Sequence, residues 1–209
     1  MNKIATTIAS LSFAGFAVAG VSPAPVVPAP APVVQETALS YNNIEVDWLH
    51  TEFDGVANLD SGDGVAARWL YSMTEGFYLS LGGGWQSIDI DSGGSADIWS
   101  ASVGVGAYYP ITNNIHLAGE VGALFYGYDN APQGYDDNDA SAYARPYVRA
   151  QWGALELQAG ATWSNIDVTN EWSGFARLYF AVAQNWDLAA GISAGENETT
   201  VNAGLRFRY

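Results

Sequence analysis

The amino-acid sequence predicts an all-β fold, an antiparallel up-and-down transmembrane β-barrel of about ten strands. Three observations lead to this prediction. From Tyr41 onward, apolar residues alternate with glycine or polar residues over runs of about ten positions, the period of a strand with one apolar face. After the N-terminal segment, every arginine falls on the polar face of that alternation. Aromatic residues recur near the strand ends, where two membrane interfaces would lie.

The N-terminal segment is predicted to be separate from the barrel. Residues 1–19 resemble a secretory signal peptide, because Lys3 precedes an apolar run that ends in the small residues Ala17-Val18-Ala19. That run is short for a membrane-spanning helix of ~20 residues. Residues 20–39 include VSPAPVVPAPAPVVQ, which favours an extended polyproline II conformation. We therefore expect a signal peptide at 1–19, a Pro/Ala-rich periplasmic tether at 20–39 and the barrel at 40–209.

The barrel segment divides into strands that are joined alternately by short turns and longer polar loops. LYSMTEGFYLSLGGG, YYPITNNIHLAGEVG and YFAVAQNWDLAAGIS share one pattern, in which an aromatic strand end is followed by a short polar turn and a new strand. RAQWGALELQAG is read as a fourth hairpin. The expected strands span approximately 43–53, 64–72, 77–88, 97–109, 115–127, 140–151, 155–165, 172–182, 186–195 and 199–209. An eight-stranded alternative, without the first hairpin, remains open because each strand's signal is weak.

The alternation also predicts which way each side chain points. The apolar face carries aromatic residues near the strand ends, which we assign to the membrane interfaces: Trp69, Tyr71, Trp85, Tyr109, Trp163 and Trp186. The other face carries an ionic set: Glu45, Asp47, Arg68, Glu120, Arg145, Arg149, Glu156, Arg177, Asp187, Arg206 and Arg208. A charge that faces lipid near the bilayer midplane costs about 2–4 kcal/mol. We therefore expect the ionic set in the lumen, as a packed plug or as the lining of a narrow pore.

The last strand explains how the barrel would close. In GLRFRY, Leu205, Phe207 and Tyr209 share the apolar face, whereas Arg206 and Arg208 point into the lumen. Closure of this strand against the first one would remove an open edge that lipid does not tolerate. Glu45 and Asp47 on the first strand are then candidate partners for the two arginines.

The terminal strand and the first hairpin resemble those of a known class of proteins. The terminal pattern of Leu205, Phe207 and Tyr209 resembles the β-signal that the outer-membrane assembly machinery reads. The opening YNNIEVDWLHTEFDG, followed by GDGVAARWLYSMTEGFYLSLGGG, is similar to small porin-like, OmpA/OmpX-type outer-membrane β-barrel proteins of Gram-negative bacteria. The resemblance covers about residues 40–209. It implies a location in the cell outer membrane, contact with outer-membrane lipid and lipopolysaccharide, and a monomer, but no particular activity.

Composition and motifs limit the function classes. The chain has 22 acidic residues, seven lysines and arginines, and no cysteine, so neither nucleic-acid binding nor thiolate chemistry is expected. The two histidines, His50 and His116, are predicted at opposite ends of the barrel and form no shared catalytic site, so we expect no enzyme and no cofactor.

Loop carboxylates are the one candidate metal site. Asp129, Asp136, Asp137 and Asp139 are weak candidate ligands for Ca²⁺ or Mg²⁺, and their spacing matches no EF-hand.

Two functions remain open. The first is a non-enzymatic outer-membrane protein that serves envelope structure or surface interaction through acidic external loops. The second is a narrow porin that passes small solutes through the arginine- and glutamate-lined lumen. Barrels of ~8 strands are filled by side chains and those of 16–18 strands leave a channel, so a count near ten favours the first function.

Overall fold

The barrel is built entirely from strands. The computed structural model describes residues 39–54, 59–90, 94–129, 138–166 and 169–209. These residues form ten strands: β1 (Asn43–Phe53), β2 (Leu59–Thr74), β3 (Phe77–Ile90), β4 (Ser95–Thr112), β5 (Ile115–Asp129), β6 (Asn138–Trp152), β7 (Leu155–Ile166), β8 (Thr169–Ala183), β9 (Trp186–Ala194) and β10 (Glu198–Arg208). The predicted signal peptide, and the predicted tether up to residue 38, lie outside the described residues. Within the described part, no helix is long and apolar enough to cross a membrane.

The strands pair with their sequence neighbours in an antiparallel meander, and β1 pairs with β10 to close the barrel. In the closing pair, Glu45 lies opposite Arg206 and Ile44 lies opposite Phe207. The prediction of an antiparallel up-and-down barrel with ten strands is therefore confirmed, as is the fold implied by the family resemblance. The eight-stranded alternative is wrong, because β1 and β2 are paired with each other and belong to the barrel wall.

Several strands extend beyond their predicted ends. β2 begins at Leu59 instead of residue 64, and β4 spans Ser95–Thr112 instead of 97–109. The added residues are mostly small or polar, and the prediction had assigned them to loops. They continue the hydrogen-bonded ladder all the same, as the pairing of Leu59 with Ile90 and the register shift before Gly62 show. The strands, as defined by their backbone hydrogen bonds, are therefore longer than the segments in which apolar residues alternate.

The two ends of the barrel differ in their connections. At the short-turn end, β2–β3, β4–β5, β6–β7 and β8–β9 are joined by turns of a few residues. Gly76 and Gly153 lie in two of these turns with φ angles of 85° and 58°, which are left-handed values that glycine adopts without a steric penalty. At the opposite end, which we call the long-loop end, the remaining connections join β1–β2, β3–β4, β5–β6, β7–β8 and β9–β10.

The outer wall of the barrel is apolar. Large apolar side chains point away from the lumen on all ten strands, and they include Val46, Val65, Leu81, Val105, Val121, Val148, Leu155, Leu178, Leu188 and Leu205. Trp99 and Tyr109 lie roughly ten residues apart on β4. At ~3.3 Å per residue and a strand tilt of ~40°, this separation corresponds to ~25 Å, the height of an outer-membrane apolar band. So large an apolar belt cannot face water, which makes this a membrane-spanning barrel.

Candidate functional site: the barrel lumen

A continuous chain of ion pairs crosses the lumen near the short-turn end. Glu156 on β7 accepts hydrogen bonds from Arg149 Nε on β6 at 2.7 Å and from Arg206 Nη2 on β10 at 2.6 Å. Arg206 Nε also donates to Asp187 Oδ2 on β9 at 2.7 Å, and Arg208 Nη2 lies 3.0 Å from Asp187 Oδ1. Each of these arginines therefore has a carboxylate partner inside the barrel. Together the ion pairs connect four strands, β6, β7, β9 and β10.

A second group of ion pairs lies around Arg177 on β8. Its guanidinium donates to Asp47 and lies 3.6 Å from the Glu45 carboxylate. Glu45 also accepts a hydrogen bond of 3.0 Å from the Tyr179 hydroxyl. The Arg206 guanidinium packs over the face of the Tyr179 ring, with its carbon 3.7 Å from the ring centroid. Tyr179 thus connects the two groups of ion pairs.

The third group is built around Glu120 on β5. Its carboxylate accepts hydrogen bonds from Arg68 Nη2 at 2.5 Å, from the Tyr143 hydroxyl at 2.6 Å and from the Tyr78 hydroxyl at 3.4 Å. The Tyr78 and Tyr147 hydroxyls are 2.7 Å apart. Glu120 is only 3% exposed, so this anion is paired and fully hydrogen-bonded inside the barrel.

These contacts differ from the partners that the sequence predicted for the last strand. Glu45 and Asp47 were the candidate partners of Arg206 and Arg208, but those arginines pair with Glu156 and Asp187. Glu45 on β1 lies directly opposite Arg206 on β10, yet the Glu45 side chain pairs with Arg177. Long side chains reach diagonally and across the lumen, so backbone register alone does not decide which charges meet.

A cavity of about 370 Å³ lies in the lumen next to the second and third groups. Arg68, Arg145 and Arg177 line it, together with Glu45, Asp47 and Glu120. The serine and threonine residues of its wall are Ser80, Ser100, Ser102, Thr162, Ser173 and Ser193. The wall of the cavity is therefore mixed, because apolar residues such as Leu124, Phe175 and Ile192 line it beside these charged and hydroxyl groups.

The segment that precedes β1 packs into the short-turn end of the lumen. Tyr41 is 3% exposed and stacks on the Tyr108 ring with centroids 4.1 Å apart and planes at 7°. The Arg149 guanidinium carbon lies 4.4 Å from the Tyr41 centroid, and Arg149 Nη1 donates to the Ser40 carbonyl at 2.9 Å. His116 stacks parallel to Tyr108 at 5.3 Å. Leu39 is buried as well, so this segment packs inside the barrel.

This plug, formed by residues 39–41, is not predicted from the sequence. Residues up to 39 are predicted to be a tether, and Tyr41 is only the start of the alternating pattern. The signal available in the sequence was an aromatic residue, Tyr41, a few residues after the proline-rich segment and just before a polar strand start. A single aromatic residue has no period, so its direction could not be read from the alternation.

The predicted interfacial aromatics lie on the outer wall. Tyr71, Tyr109 and Trp186 lie toward the short-turn end. Trp85 and Trp163 lie toward the long-loop end, where Trp85 is directly opposite Trp99 on the neighbouring strand. Trp163 is likewise directly opposite Trp172. Trp69 Nε1 donates to the Tyr209 hydroxyl at 2.6 Å, which ties the last residue to β2. Leu205 and Phe207 share the outer face with Tyr209, and the Phe207 ring packs 4.9 Å from Trp186.

The remaining candidates lie apart from the lumen network. Asp129 and Asp139 lie at strand ends, and no group of three potential metal ligands occurs within the described ranges. Asp136 and Asp137 are outside the described residues. His50 Nδ1 lies 3.1 Å from Asp63 Oδ1 on the exposed surface, far along the barrel from His116. Among the described residues, no serine hydroxyl is hydrogen-bonded to either histidine.

Comparison with known proteins gives matches in structure only. No protein-family model matches the chain, and no curated protein matches it in sequence. Its structure is similar to the KdgM porin, with 10% identity, a TM-score of 0.44, and coverage of 79% of this chain and 99% of that chain.

Two further structural matches have similar values. OprG from Pseudomonas aeruginosa has 9% identity and a TM-score of 0.44, with 80% of this chain and 94% of that chain covered. The translocator domain of the autotransporter NalP from Neisseria meningitidis has 9% identity and a TM-score of 0.49, with 84% and 91% covered. At such values the likenesses carry no conclusion about what this chain does.

Proposed function

We propose that this chain is a non-enzymatic outer-membrane β-barrel with a closed lumen, which serves envelope structure or surface interaction. The observation that carries the proposal is the packing of the Arg149–Glu156–Arg206–Asp187 ion pairs and the Tyr41 stack inside the short-turn end of the lumen. A barrel that conducts needs a continuous wet path, and these side chains occupy that path.

The arrangement of the lumen supports a structural role in a second way. Ion pairs in a low-dielectric interior are stable only when both partners and their hydrogen bonds are in place. Glu120, Glu156 and Asp187 each contact at least one arginine at 3.0 Å or less. Opening a path through this network would break these ion pairs and their hydrogen bonds, which favours the closed arrangement.

Placement in the outer membrane is part of the same proposal. The short-turn end would face the periplasm, as in other outer-membrane barrels, and residues 1–19 would direct export. The strand with Leu205, Phe207 and Tyr209 would be read by the assembly machinery, and the outer wall would contact lipid.

The long-loop end would face outward and carry the surface interaction. The described acidic residues there include Asp54, Asp60, Asp89, Asp129, Glu171, Glu196 and Glu198, and the described part of that end holds no arginine or lysine. Such a surface repels the phosphates of lipopolysaccharide directly and would contact them through divalent cations.

The second candidate function is a narrow porin, and the cavity of about 370 Å³ is the observation that favours it. Small solutes would fit into that cavity. To continue toward the periplasm, however, they would have to displace Tyr41 and break the ion pairs below it. The porin function therefore requires a second, open arrangement of the short-turn end.

Single-channel recording of the refolded chain in planar bilayers tests the closed lumen. We expect no discrete current steps from the wild-type protein, and brief steps from Tyr41→Ala, because this substitution removes the ring that contacts Tyr108 and Arg149. Tyr109→Ala is the matched control, since Tyr109 is 71% exposed on the outer wall. Regular steps from the wild-type protein, unchanged in Tyr41→Ala, would contradict the proposal and support the porin.

A further inference from the structure

The ionic set of the lumen contains one more positive charge than negative charges. The six arginines of the chain all lie inside the barrel, and five of them have a carboxylate within 4.0 Å. The partners in those ion pairs are the five carboxylates of the ionic set. Arg145 is the exception, because no ion pair joins it to any described carboxylate.

The reason for this exception lies at Glu120, the nearest acid. Arg145 lies directly opposite Glu120 on the neighbouring strand, but Glu120 already accepts hydrogen bonds from Arg68, Tyr143 and Tyr78. Arg145 instead donates from Nε to the Thr162 hydroxyl at 3.1 Å. Its guanidinium carbon also lies 5.8 Å from the ring centroids of Tyr143 and Phe175. None of these neighbours supplies a negative charge.

An unpaired cation inside a membrane-spanning barrel is unfavourable. Water and counter-ions stabilise a charge at a protein surface, whereas a charge enclosed by protein and lipid depends on a partner close by. The Nη1 and Nη2 groups of Arg145 make no hydrogen bond to another described residue, so four N–H donors remain available. The cavity supplies the space in front of them.

The wall of the cavity has the donors that an anion needs. Thr162, Ser102 and Ser173 contribute hydroxyl groups to it. Arg177 Nε is buried without a hydrogen-bond partner in the described residues, and Arg177 lines the same cavity. A few convergent hydroxyl and guanidinium donors in a partly apolar cavity of a few hundred cubic ångströms are typical of a small-ligand site.

We propose that the cavity binds one small monovalent anion of the carboxylate class, held by the terminal amino groups of Arg145. A carboxylate matches the fork of two parallel N–H donors at the end of a guanidinium, and a single negative charge balances the single excess positive charge. The exposed carboxylates of Glu171 and Glu198 at the long-loop end repel anions, so the site holds a resident ion and does not form a step in an anion pathway. This inference goes beyond the proposed function and is independent of whether the barrel conducts.

Thermal unfolding of the refolded full chain in detergent micelles, at increasing sodium acetate concentration, tests the site. A ligand that binds only the folded state raises the unfolding midpoint, by about 3–6 °C at tenfold excess over the dissociation constant. We expect this rise in the wild type and its loss in Arg145→Gln. Arg208→Gln is the matched control, because it removes the same charge outside the cavity wall and should keep the rise. Equal acetate dependence in all three proteins would overturn the proposal.

A measurement on the wild type alone covers the case in which Arg145→Gln does not fold. Crystals soaked in sodium bromide should show one anomalous peak within ~4 Å of the Arg145 guanidinium, since bromide is a monovalent anion with the same charge requirement. Addition of acetate to the soak should reduce that peak. A lumen without a bromide peak, or a peak that acetate leaves unchanged, would overturn the proposal.

Discussion

Glu156 is the residue at which removal of one charge should affect stability most. Its carboxylate, 5% exposed, bridges Arg149 at 2.7 Å and Arg206 at 2.6 Å. Glu156→Gln keeps the size of the side chain and removes the charge. Arg206 would keep Asp187, but Arg149 would be left with the Ser40 carbonyl and no carboxylate. Breaking a buried ion pair from one side costs about 3–5 kcal/mol, and we expect a loss in that range.

The assay is equilibrium unfolding in urea, followed by tryptophan fluorescence in detergent or lipid vesicles. Glu171→Gln is the matched control, because Glu171 is exposed at the long-loop end and should change the free energy of unfolding by less than about 0.5 kcal/mol. A loss below about 1 kcal/mol for Glu156→Gln, with an unchanged dependence on urea, would refute the argument that this carboxylate holds two buried arginines in place.

Two further predictions test the outer wall and the packing inside it. Val103→Arg places a charge toward lipid in the middle of β4 and should destabilise the barrel by about 2–4 kcal/mol, whereas Val201→Arg, near the long-loop end of β10, should cost about 0–1 kcal/mol in the same unfolding assay. Gly106→Ala would place its Cβ against the Tyr78 ring and should lower the unfolding midpoint clearly, while Gly119→Ala, with no atom within 4 Å, should leave it nearly unchanged. Similar costs at Val103 and Val201, or at the two glycines, would contradict the assigned faces.

The direction of each side chain could be predicted from the sequence because it depends only on a period of two. Val46, Val105 and Leu188 are exposed on the outer wall as the alternation required, and the strand count followed from the repeated hairpins. The partners inside the lumen could not be predicted in this way. Arg206 on β10 reaches Glu156 on β7, and that contact depends on strand tilt and on the diameter of the barrel.

The plug at the short-turn end could not be predicted for a different reason. Tyr41 precedes the first strand, so no alternation restricts its direction. Its place is decided by the Tyr108 ring and the Arg149 guanidinium, which come from strands far away in the sequence. The same holds for the unpaired Arg145. The sequence shows six arginines and five carboxylates on one face, but only the geometry around Glu120 shows which arginine is left over.

The central claim is that apolar residues face lipid while the charged network lies inside, and spin-label accessibility tests it most directly. The chain has no cysteine, so single cysteines can be labelled one at a time in vesicles. The claim predicts that labels at Val103 and Val105 collide with oxygen and are shielded from a water-soluble nickel complex, and that labels at Ser100 and Ser102 are shielded from oxygen. Labels at all four positions with equal accessibility, or high nickel accessibility at the two valines, would contradict it.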